Sequence, residues 1–411
     1  MNEYLFGPLT LSRLHQGPLG FCIDSYLQLL REQGYVQRTA DQRARLVADF
    51  SRWLNGRACG AEDVSPEKVD EYLKYRYRRR CPQEYDSAAL HRLIALLCQM
   101  SVISAQVPPV TMTACDRLLD DYRLYLAQLR ALSARTLKYY LPLTRQFLCE
   151  CFTADTINLS QLCAQDVTGF VRHQAQMLSR EGAKHMTAAL RSFLRYLRYR
   201  GDLATDLAAC VPSVACRSLS EIPKYLEPSQ VQRVLDHCNR QTAVGLRDYA
   251  ILLLLARLGL RASEVAFLKL DDIDWEAGHI TVHDKGGYSA QLPLPVDLGE
   301  AIAAYLQKGR PNCSSRSVFV RVMAPRRGFL GPGAISTIVR CAIVRAGIDS
   351  QRKGAHLLRH SLATHMLRQG GTLPEIGEIL RHRDPNTTAR YAKVDLTALR
   401  TLATPWPGGE Q

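Results

Sequence analysis

The sequence lacks an uninterrupted apolar segment that is long enough to cross a membrane. Its longest apolar run, Tyr249 to Leu260, is broken by Arg257, whereas a bilayer-spanning helix needs about 20 apolar residues. The opening residues, MNEYLFGPLT, do not follow the basic-then-apolar order of a secretory signal. We therefore expect a soluble, cytoplasmic protein with no membrane partner.

Patterns for binding metals and nucleotides are also missing. The thirteen cysteines form no CxxC pair, and zinc sites need closely spaced, repeated ligands, so we predict reduced thiols and no metal. The segment DKGGYS around Lys285 lacks the Lys-Ser/Thr ending of a phosphate-binding loop. We expect neither a metal nor any other cofactor.

Acidic residues are too few to balance the basic ones. The chain has 39 Asp and Glu against 53 Lys and Arg, a net charge of +14. Such an excess indicates a polyanionic partner, either nucleic acid or an acidic membrane. The motifs of the C-terminal part, described below, lead us to predict double-stranded DNA. With 46% apolar residues and a length of 411 residues, the chain is globular and exceeds the size of one hydrophobic core.

Helical periodicity dominates what is present, and it divides the chain into three parts. We predict a mainly α fold with an N-terminal helical module at residues 1–105 and a second helical module at 112–214. A third, mostly helical domain is expected at 220–405. Within it, apolar and polar residues alternate over 279–295 around a Lys-Gly-Gly turn. This alternation predicts a small antiparallel β-sheet.

The first two modules align with each other and are predicted to be copies of one unit. Chance agreement between two helical periodicities is the alternative. The alignment pairs Asp24 with Asp121, Leu29 with Leu126, Arg38-Thr39 with Arg135-Thr136, Leu46 with Leu143, Phe50 with Phe147 and, after a one-residue slip, Val69 and Tyr72 with Val167 and Phe170.

Basic residues are concentrated near the end of each module. The segment YLKYRYRRR closes the first module, and arginines at i, i+4 and i+7 form a stripe on a helix of the second. Such a stripe is either a solvated face or a surface that follows DNA phosphates, and the net charge favours the second interpretation. The candidate DNA-binding residues are Lys74, Arg76, Arg191, Arg195 and Arg198.

Four motifs of the third domain carry basic and nucleophilic side chains. They are LGLRASEV with Arg261 and Glu264, the hairpin tip with Lys285, AHLLRHSLATHML with His356 and Arg359, and ILRHRDPNTTARYAKV with His382 and Tyr391. Each guanidinium group can bind two non-bridging oxygens of a phosphate, and two such groups together stabilise the added charge of a pentavalent transition state. A tyrosine whose proton passes to a neighbouring histidine can attack that phosphate.

Local signals set the helix starts around the fourth motif. Thr372 and Glu375 predict a capping box, and Asp384-Pro385 predicts the start of a further helix that leads to Tyr391. His356 and Arg359, three residues apart, lie on one helical face. By themselves they would also fit a core pair whose charges are satisfied.

The motifs GLRASE, HLLRHSLATHML and LRHRDPNTTARYAKV resemble those of the tyrosine recombinases, the phage integrase family. Residues 222–400 resemble the family's catalytic domain and residues 117–213 its helical, SAM-like core-binding domain. The resemblance implies an enzyme that recombines DNA at specific sites, acting as four protomers on DNA. The additional N-terminal module favours an integrase or transposase of a mobile element, acting alone or with other recombinases of that element.

The resemblance also implies a role for each matching residue. It makes Tyr391 the nucleophile that forms a 3′-phosphotyrosine, and Arg261 and Arg359 the clamp that binds the phosphate. Lys285 becomes the general acid, and Glu264 orients the site. His356 and His382 assist proton transfer and donate hydrogen bonds to the phosphate. The sequence departs from the family pattern in two ways. Arg381 stands where glycine is usual, and the hairpin lacks a second basic pair, with Tyr288 and Gln291 in its place.

Two other functions fit the same motifs. A type IB topoisomerase uses the same chemistry, and a DNA-binding regulator of the same fold would have lost it. A polyanion-binding helical scaffold would require the motif spacing to arise by chance. Beyond Tyr391, LTALRTLAT places Leu396, Leu399 and Leu402 near one side of a helix that we expect to dock on a neighbouring protomer.

Overall fold

The computed structural model forms two compact units. One unit comprises residues 106–221, and the other comprises residues 1–105 together with 222–411. The residues that the structure describes are 13–103, 113–152, 157–214, 223–283, 288–351 and 353–394. The hairpin tip with Lys285 and the predicted C-terminal docking segment lie outside these ranges.

The N-terminal part of the larger unit is helical. After a 3₁₀ turn at Gly20–Cys22, its helices are α1 (Ile23–Glu32), α2 (Gln37–Asn55), α3 (Pro66–Tyr77) and α4 (Asp86–Gln99). Helix α3 begins at Pro66, because the Ser65 hydroxyl accepts the Lys68 N–H and proline fits the first helical turn. The amphipathic faces of the helices meet around the fully buried Phe50.

The smaller unit has the same order of helices. They are α5 (Ala114–Leu124, continued by a π turn at Tyr125–Leu129), α6 (Ala134–Cys151), α7 (Ala164–Met177) and α8 (Arg180–Arg200), with 3₁₀ turns at Leu159–Gln161 and Leu207–Cys210. Ser133 and Ser179 cap α6 and α8 through their hydroxyls. Gly201 ends α8 at a φ of 85°, a left-handed conformation that glycine adopts without steric cost.

The structure supports the predicted repeat at two levels. The alignment that pairs Phe50 with Phe147 also pairs the first residues of α2 and α6, and the one-residue slip pairs the first residues of α3 and α7. The aligned aromatic side chains form equivalent contacts. The rings of Phe50 and Tyr72 lie 5.0 Å apart, and those of Phe147 and Phe170 lie 5.1 Å apart. A common origin for the two modules stays a prediction, which these contacts favour.

The C-terminal part surrounds one very apolar helix. Its helices are α9 (Pro228–Asp236), α10 (Ala243–Arg257), α11 (Ala262–Phe267), α12 (Val296–Ala304), α13 (Pro332–Arg345), α14 (Ala355–Arg368), α15 (Leu373–Ile379) and α16 (Pro385–Ala389), with a π turn at Tyr305–Gly309 and 3₁₀ turns at Leu270–Asp272 and Arg390–Val394. Residues 250–255 of α10 are all buried. Because α10 packs against α11, α12 and α14, it fixes the elements that carry the candidate site.

A three-stranded antiparallel sheet flanks this core. Its strands are β1 (Ile273–Asp274), β2 (His279–His283) and β3 (Ser289–Pro293), in the order β1-β2-β3. Val282 pairs with Ala290 and His283 with Ser289, so β2 and β3 form the predicted hairpin. The mainly α fold with a small antiparallel sheet is confirmed. In the described ranges, no helix combines the length and the apolar character needed to cross a membrane.

Candidate active site

A buried carboxylate organises the first arginine of the site. Arg261 lies in extended backbone directly before α11, and Glu264 lies in the first turn of that helix. The Glu264 carboxylate accepts the Arg261 backbone N–H at 2.8 Å and the Arg261 Nη1 at 2.7 Å. Arg381 Nη2 donates to the same carboxylate at 2.8 Å. With a side chain only 1% exposed, Glu264 holds both guanidinium groups in fixed positions.

The second arginine is held without being neutralised. Arg359 is buried on α14, and its guanidinium donates hydrogen bonds to the carbonyl oxygens of Gly259 and Leu380. Burial, together with the Arg261 and Arg381 guanidiniums, lowers the pKa of Arg359 to about 10. The group therefore stays protonated at neutral pH. Because carbonyl oxygens orient it while carrying no net charge, its positive charge remains available to a phosphate.

Tyr391 lies near Arg359, in the turn Arg390–Val394. Together with Arg261, Glu264 and Arg381, these residues form the cluster of the candidate site. Its ring packs with Ala363, Ile376 and Leu380, and the residue is 1% exposed. The hydroxyl oxygen lies 2.7 Å from Nδ1 of His360 on α14. Burial raises the pKa of Tyr391, while the guanidiniums of Arg359 and Arg390 act in the opposite direction.

Two imidazoles flank the tyrosine, and both are neutral at physiological pH. The His382 ring is nearly parallel to the Tyr391 ring at 6.4 Å, and its Nδ1 lies 2.7 Å from Oγ1 of Thr388. Burial and the surrounding positive charge lower the pKa of His360 and of His382 to about 4. A neutral imidazole can accept a hydrogen bond, which the protonated ring cannot.

A cleft of about 490 Å³ opens beside the cluster. It is lined by Glu264 and the segment Arg381–Arg383 on one side and by hairpin residues on the other, namely Val282, Tyr288, Ser289 and Ala290. The Arg383 guanidinium lies 4.7 Å from the centre of the Tyr288 ring. Among the described residues, no group of three His, Cys, Asp or Glu side chains is arranged to hold a metal ion. Among the described residues that line the cleft, Arg381 and Arg383 carry positive charge.

Comparison with known proteins identifies the family. Residues 224–397 match the phage integrase family, and residues 119–201 match its N-terminal SAM-like domain. The chain is 46% identical over 412 residues to a putative integrase/recombinase, y4rA, of Sinorhizobium fredii, with 100% of each chain covered. The chain belongs to the phage integrase family. The family predicted from the sequence motifs is thus confirmed.

Further members of this integrase family match most of the chain. Tyrosine recombinase XerD of Listeria innocua is 30% identical over 290 residues, which cover 69% of this chain and 96% of XerD. The fold resembles XerH recombinase bound to a palindromic difH substrate, with a TM-score of 0.55, 18% identity and 76% and 93% of the two chains covered. It also resembles a lambda integrase dimer bound to a COC′ core site, with a TM-score of 0.53, 15% identity and coverage of 72% and 98%.

The structure brings together most of the residues that the integrase motifs predict. Glu264 binds Arg261, and Arg359 interacts electrostatically with both Arg261 and Tyr391. The His382 ring lies 6.4 Å from the Tyr391 ring. His356 lies on the exposed side of α14, and its ring centre is 6.3 Å from that of His360. His360 is the residue that the sequence analysis did not select. Its position four residues after His356 places it on the same helical face, and this spacing was the available signal.

The predicted DNA-binding arginines differ in their surroundings. Arg76 forms salt bridges with Asp49 at 2.8 Å and Asp86 at 3.1 Å, and its side chain is only 14% exposed. Arg191 donates to the carbonyl oxygens of Val211 and Pro212 at 3.0 and 2.9 Å. Both guanidiniums therefore stabilise the modules that contain them.

The other three candidates are exposed. Arg198 is paired with Asp206 at 2.8 Å. Lys74 and Arg195 point to the surface of their respective modules. Neither forms an ion pair within the part of the chain that the structure describes. They retain the free positive charge that a phosphate contact requires.

Proposed function

We propose that this integrase-family chain is a site-specific DNA recombinase that cuts and rejoins DNA through a 3′-phosphotyrosine at Tyr391. One observation carries the proposal: the Tyr391 hydroxyl is hydrogen-bonded to an imidazole and lies in the same cluster as the charged, carbonyl-bound guanidinium of Arg359. Nucleophile, proton acceptor and phosphate-binding group are thereby combined in one place.

In the proposed cleavage step, the Tyr391 oxygen forms a bond to phosphorus while the bond from phosphorus to the 5′-oxygen breaks. Arg261 and Arg359 bind the non-bridging oxygens and stabilise the added negative charge of the transition state. They supply this charge without a metal ion, so we propose a metal-independent enzyme. The phosphotyrosine conserves the energy of the phosphodiester bond. A 5′-hydroxyl of the partner strand can therefore attack its phosphorus, which joins the DNA strands and releases Tyr391.

The proton of Tyr391 passes to His360 in this scheme. In the DNA-free protein, His360 is a weak base because it is buried among positive charges. A bound phosphate would offset those charges and raise the pKa of the imidazole. The scheme assigns protonation of the leaving 5′-oxygen to Lys285 and phosphate hydrogen bonds to His356 and His382. These three assignments rest on the family resemblance.

Tyr391 must become accessible before it can react. A side chain that is 1% exposed is shielded from a DNA phosphate by its own domain. We propose that DNA binding moves the turn Arg390–Val394 and exposes the hydroxyl to the clamp. Cleavage is then coupled to correct binding of the DNA site, which protects other DNA from being cut.

Four protomers are proposed to act on two DNA duplexes, each protomer holding one half-site. The structural neighbours include a lambda integrase tetramer bound to a Holliday junction, with a TM-score of 0.52. Lys74 of the first module and Arg195 of the second are proposed to contact DNA phosphates of the half-site. An integrase or transposase of a mobile element is the biological role we favour, because the chain carries the additional N-terminal module.

The test uses a nicked duplex whose cleavage releases a short fragment and so traps the covalent complex. The binding site is first selected from a random-sequence duplex library with the full-length protein. Wild-type protein is expected to form a covalent adduct, and Tyr391→Phe is expected to bind the same duplex without forming one. An adduct with the Phe variant would refute the assignment. Recombination between two sites, in contrast to relaxation of supercoils alone, would separate a recombinase from a type IB topoisomerase.

A further inference from the structure

Arg381 occupies a backbone position at which glycine is favoured. It follows α15 at a φ of 55°, and its N–H bonds to the Glu378 carbonyl at 2.9 Å, while the next N–H, of His382, bonds to the Gly377 carbonyl at 2.9 Å. This left-handed C-terminal turn is typically built on glycine, because a Cβ atom is sterically unfavourable there. A long side chain at this position needs a compensating interaction.

The compensating interaction is with the site itself. Arg381 Nη2 donates to Glu264 Oε2 at 2.8 Å, the same oxygen that accepts the Arg261 backbone N–H. In the opposite direction, the Arg381 carbonyl accepts a hydrogen bond from Arg261 Nη2 at 2.8 Å. The Arg381 side chain is 14% exposed. Arg381 and Arg261 are therefore connected twice, once through the carboxylate and once directly.

The same loop also carries His382 and binds the second clamp arginine. The Leu380 carbonyl accepts from Arg359, and the Ile379 carbonyl accepts from Arg381 Nη1 at 3.2 Å. The Arg381 guanidinium thus ties the start of this loop to α11 through Glu264. Without it, Arg261 and Arg359 would still bind carbonyl oxygens of the loop, but Glu264 would lose its contact with the loop.

From these contacts we infer that Arg381 is a positioning residue of the phosphate clamp, acting through Glu264 to hold Arg261 and the loop of His382 in place. It shares the negative charge of Glu264, so that Arg261 keeps more of its positive field for the phosphate. The inference rests on the proposed strand-transfer function and deepens it. It gives a role to a residue that departs from the family pattern.

Arg381→Gly is the informative variant, because glycine fits the left-handed backbone and removes only the side chain. We expect unchanged or higher thermal stability, little change in the dissociation constant for DNA, and a cleavage rate at saturating DNA that is lower by about tenfold to a hundredfold. Arg381→Lys, which keeps the charge, should recover part of the rate. Wild-type rates with Arg381→Gly would overturn the inference, as would a loss that follows reduced stability or DNA affinity.

A double-mutant cycle with Glu264→Gln tests the route of action. If Arg381 acts through the carboxylate, Arg381→Gly should have little further effect on the cleavage rate in the Gln background. A full additional loss there would show that Arg381 contacts the phosphate directly and would overturn the positioning role. Wild-type protein is run in parallel. If wild type forms no covalent adduct, the proposed function fails. If only the cycle fails, the function stands and the role of Arg381 is wrong.

Discussion

The hydrogen bond between Tyr391 and His360 predicts a specific energetic coupling. The tyrosine hydroxyl is buried, with the His360 ring nitrogen at 2.7 Å. His360→Ala would leave this hydroxyl without its partner, which costs about 1–3 kcal/mol for a buried group. Tyr391→Phe alone removes one hydrogen bond, worth about 0.5–1.5 kcal/mol. When both groups are absent, no hydroxyl is left unsatisfied. The double variant should therefore lose about 1–2 kcal/mol less free energy of unfolding than the two single variants lose in total.

Native-state hydrogen exchange of the α14 amides, measured over a series of low urea concentrations, gives the free energy of opening around the site. A matched control is His365→Ala in the same background. His365 lies further along α14 and lines a separate cleft with Pro228 and Val231, so its effect should add to that of Tyr391→Phe. If the losses caused by His360→Ala and Tyr391→Phe are also additive, the coupling between the two side chains is refuted. In the cleavage assay, His360→Ala should lower the rate about 10²- to 10⁴-fold, as expected for loss of a proton acceptor.

Three further outcomes follow from the charges of the described residues. Arg261→Ala should keep its circular dichroism spectrum and lose about 10²- to 10³-fold in cleavage rate, because it removes one preorganised phosphate contact; a loss of helical signal would instead indicate a structural role. Arg195→Gln should reduce the salt dependence of DNA binding by about one phosphate contact, whereas Arg191→Gln should lower the melting temperature and leave the salt slope unchanged, since its guanidinium binds backbone carbonyls. The two imidazoles beside Tyr391 have a pKa lowered to about 4, so the unfolded state takes up protons first below about pH 6.5. Stability should therefore fall between about pH 6.5 and 4 by up to about 1.4 kcal/mol per pH unit for each imidazole, and urea titrations that show no fall would contradict these pKa values.

The motifs made the site predictable because its parts are local in sequence. The capping box of Thr372 and Glu375 forms as predicted, and Asp384 accepts the Asn386 N–H at the start of α16. Such signals depend on residues within one helical turn, so the sequence contains them completely. They place His382 and Tyr391 at the ends of short helices, which accounts for much of the site.

What the sequence could not supply is the partner of each polar side chain. His360 meets Tyr391 only because the turn after α16 packs against α14, a tertiary contact that no helical spacing encodes. Likewise, the charge pattern that selected Arg76 does not reveal that Asp49 and Asp86 approach it from two other helices. A basic residue that is exposed and unpaired in the structure therefore predicts a DNA contact more strongly than a basic residue known only from the sequence.

The chemical identity of the trapped complex tests the proposed role of Tyr391 most directly. Wild-type protein is incubated in EDTA with a nicked duplex that carries its selected site, and the adduct is digested with protease and analysed by mass spectrometry. We expect adduct formation without added metal, and a single modified peptide in which Tyr391 carries the 3′-phosphate of the DNA. A nucleotide attached to any other residue would contradict the role of Tyr391 as the nucleophile. An adduct that forms only after magnesium is added would contradict a metal-independent reaction.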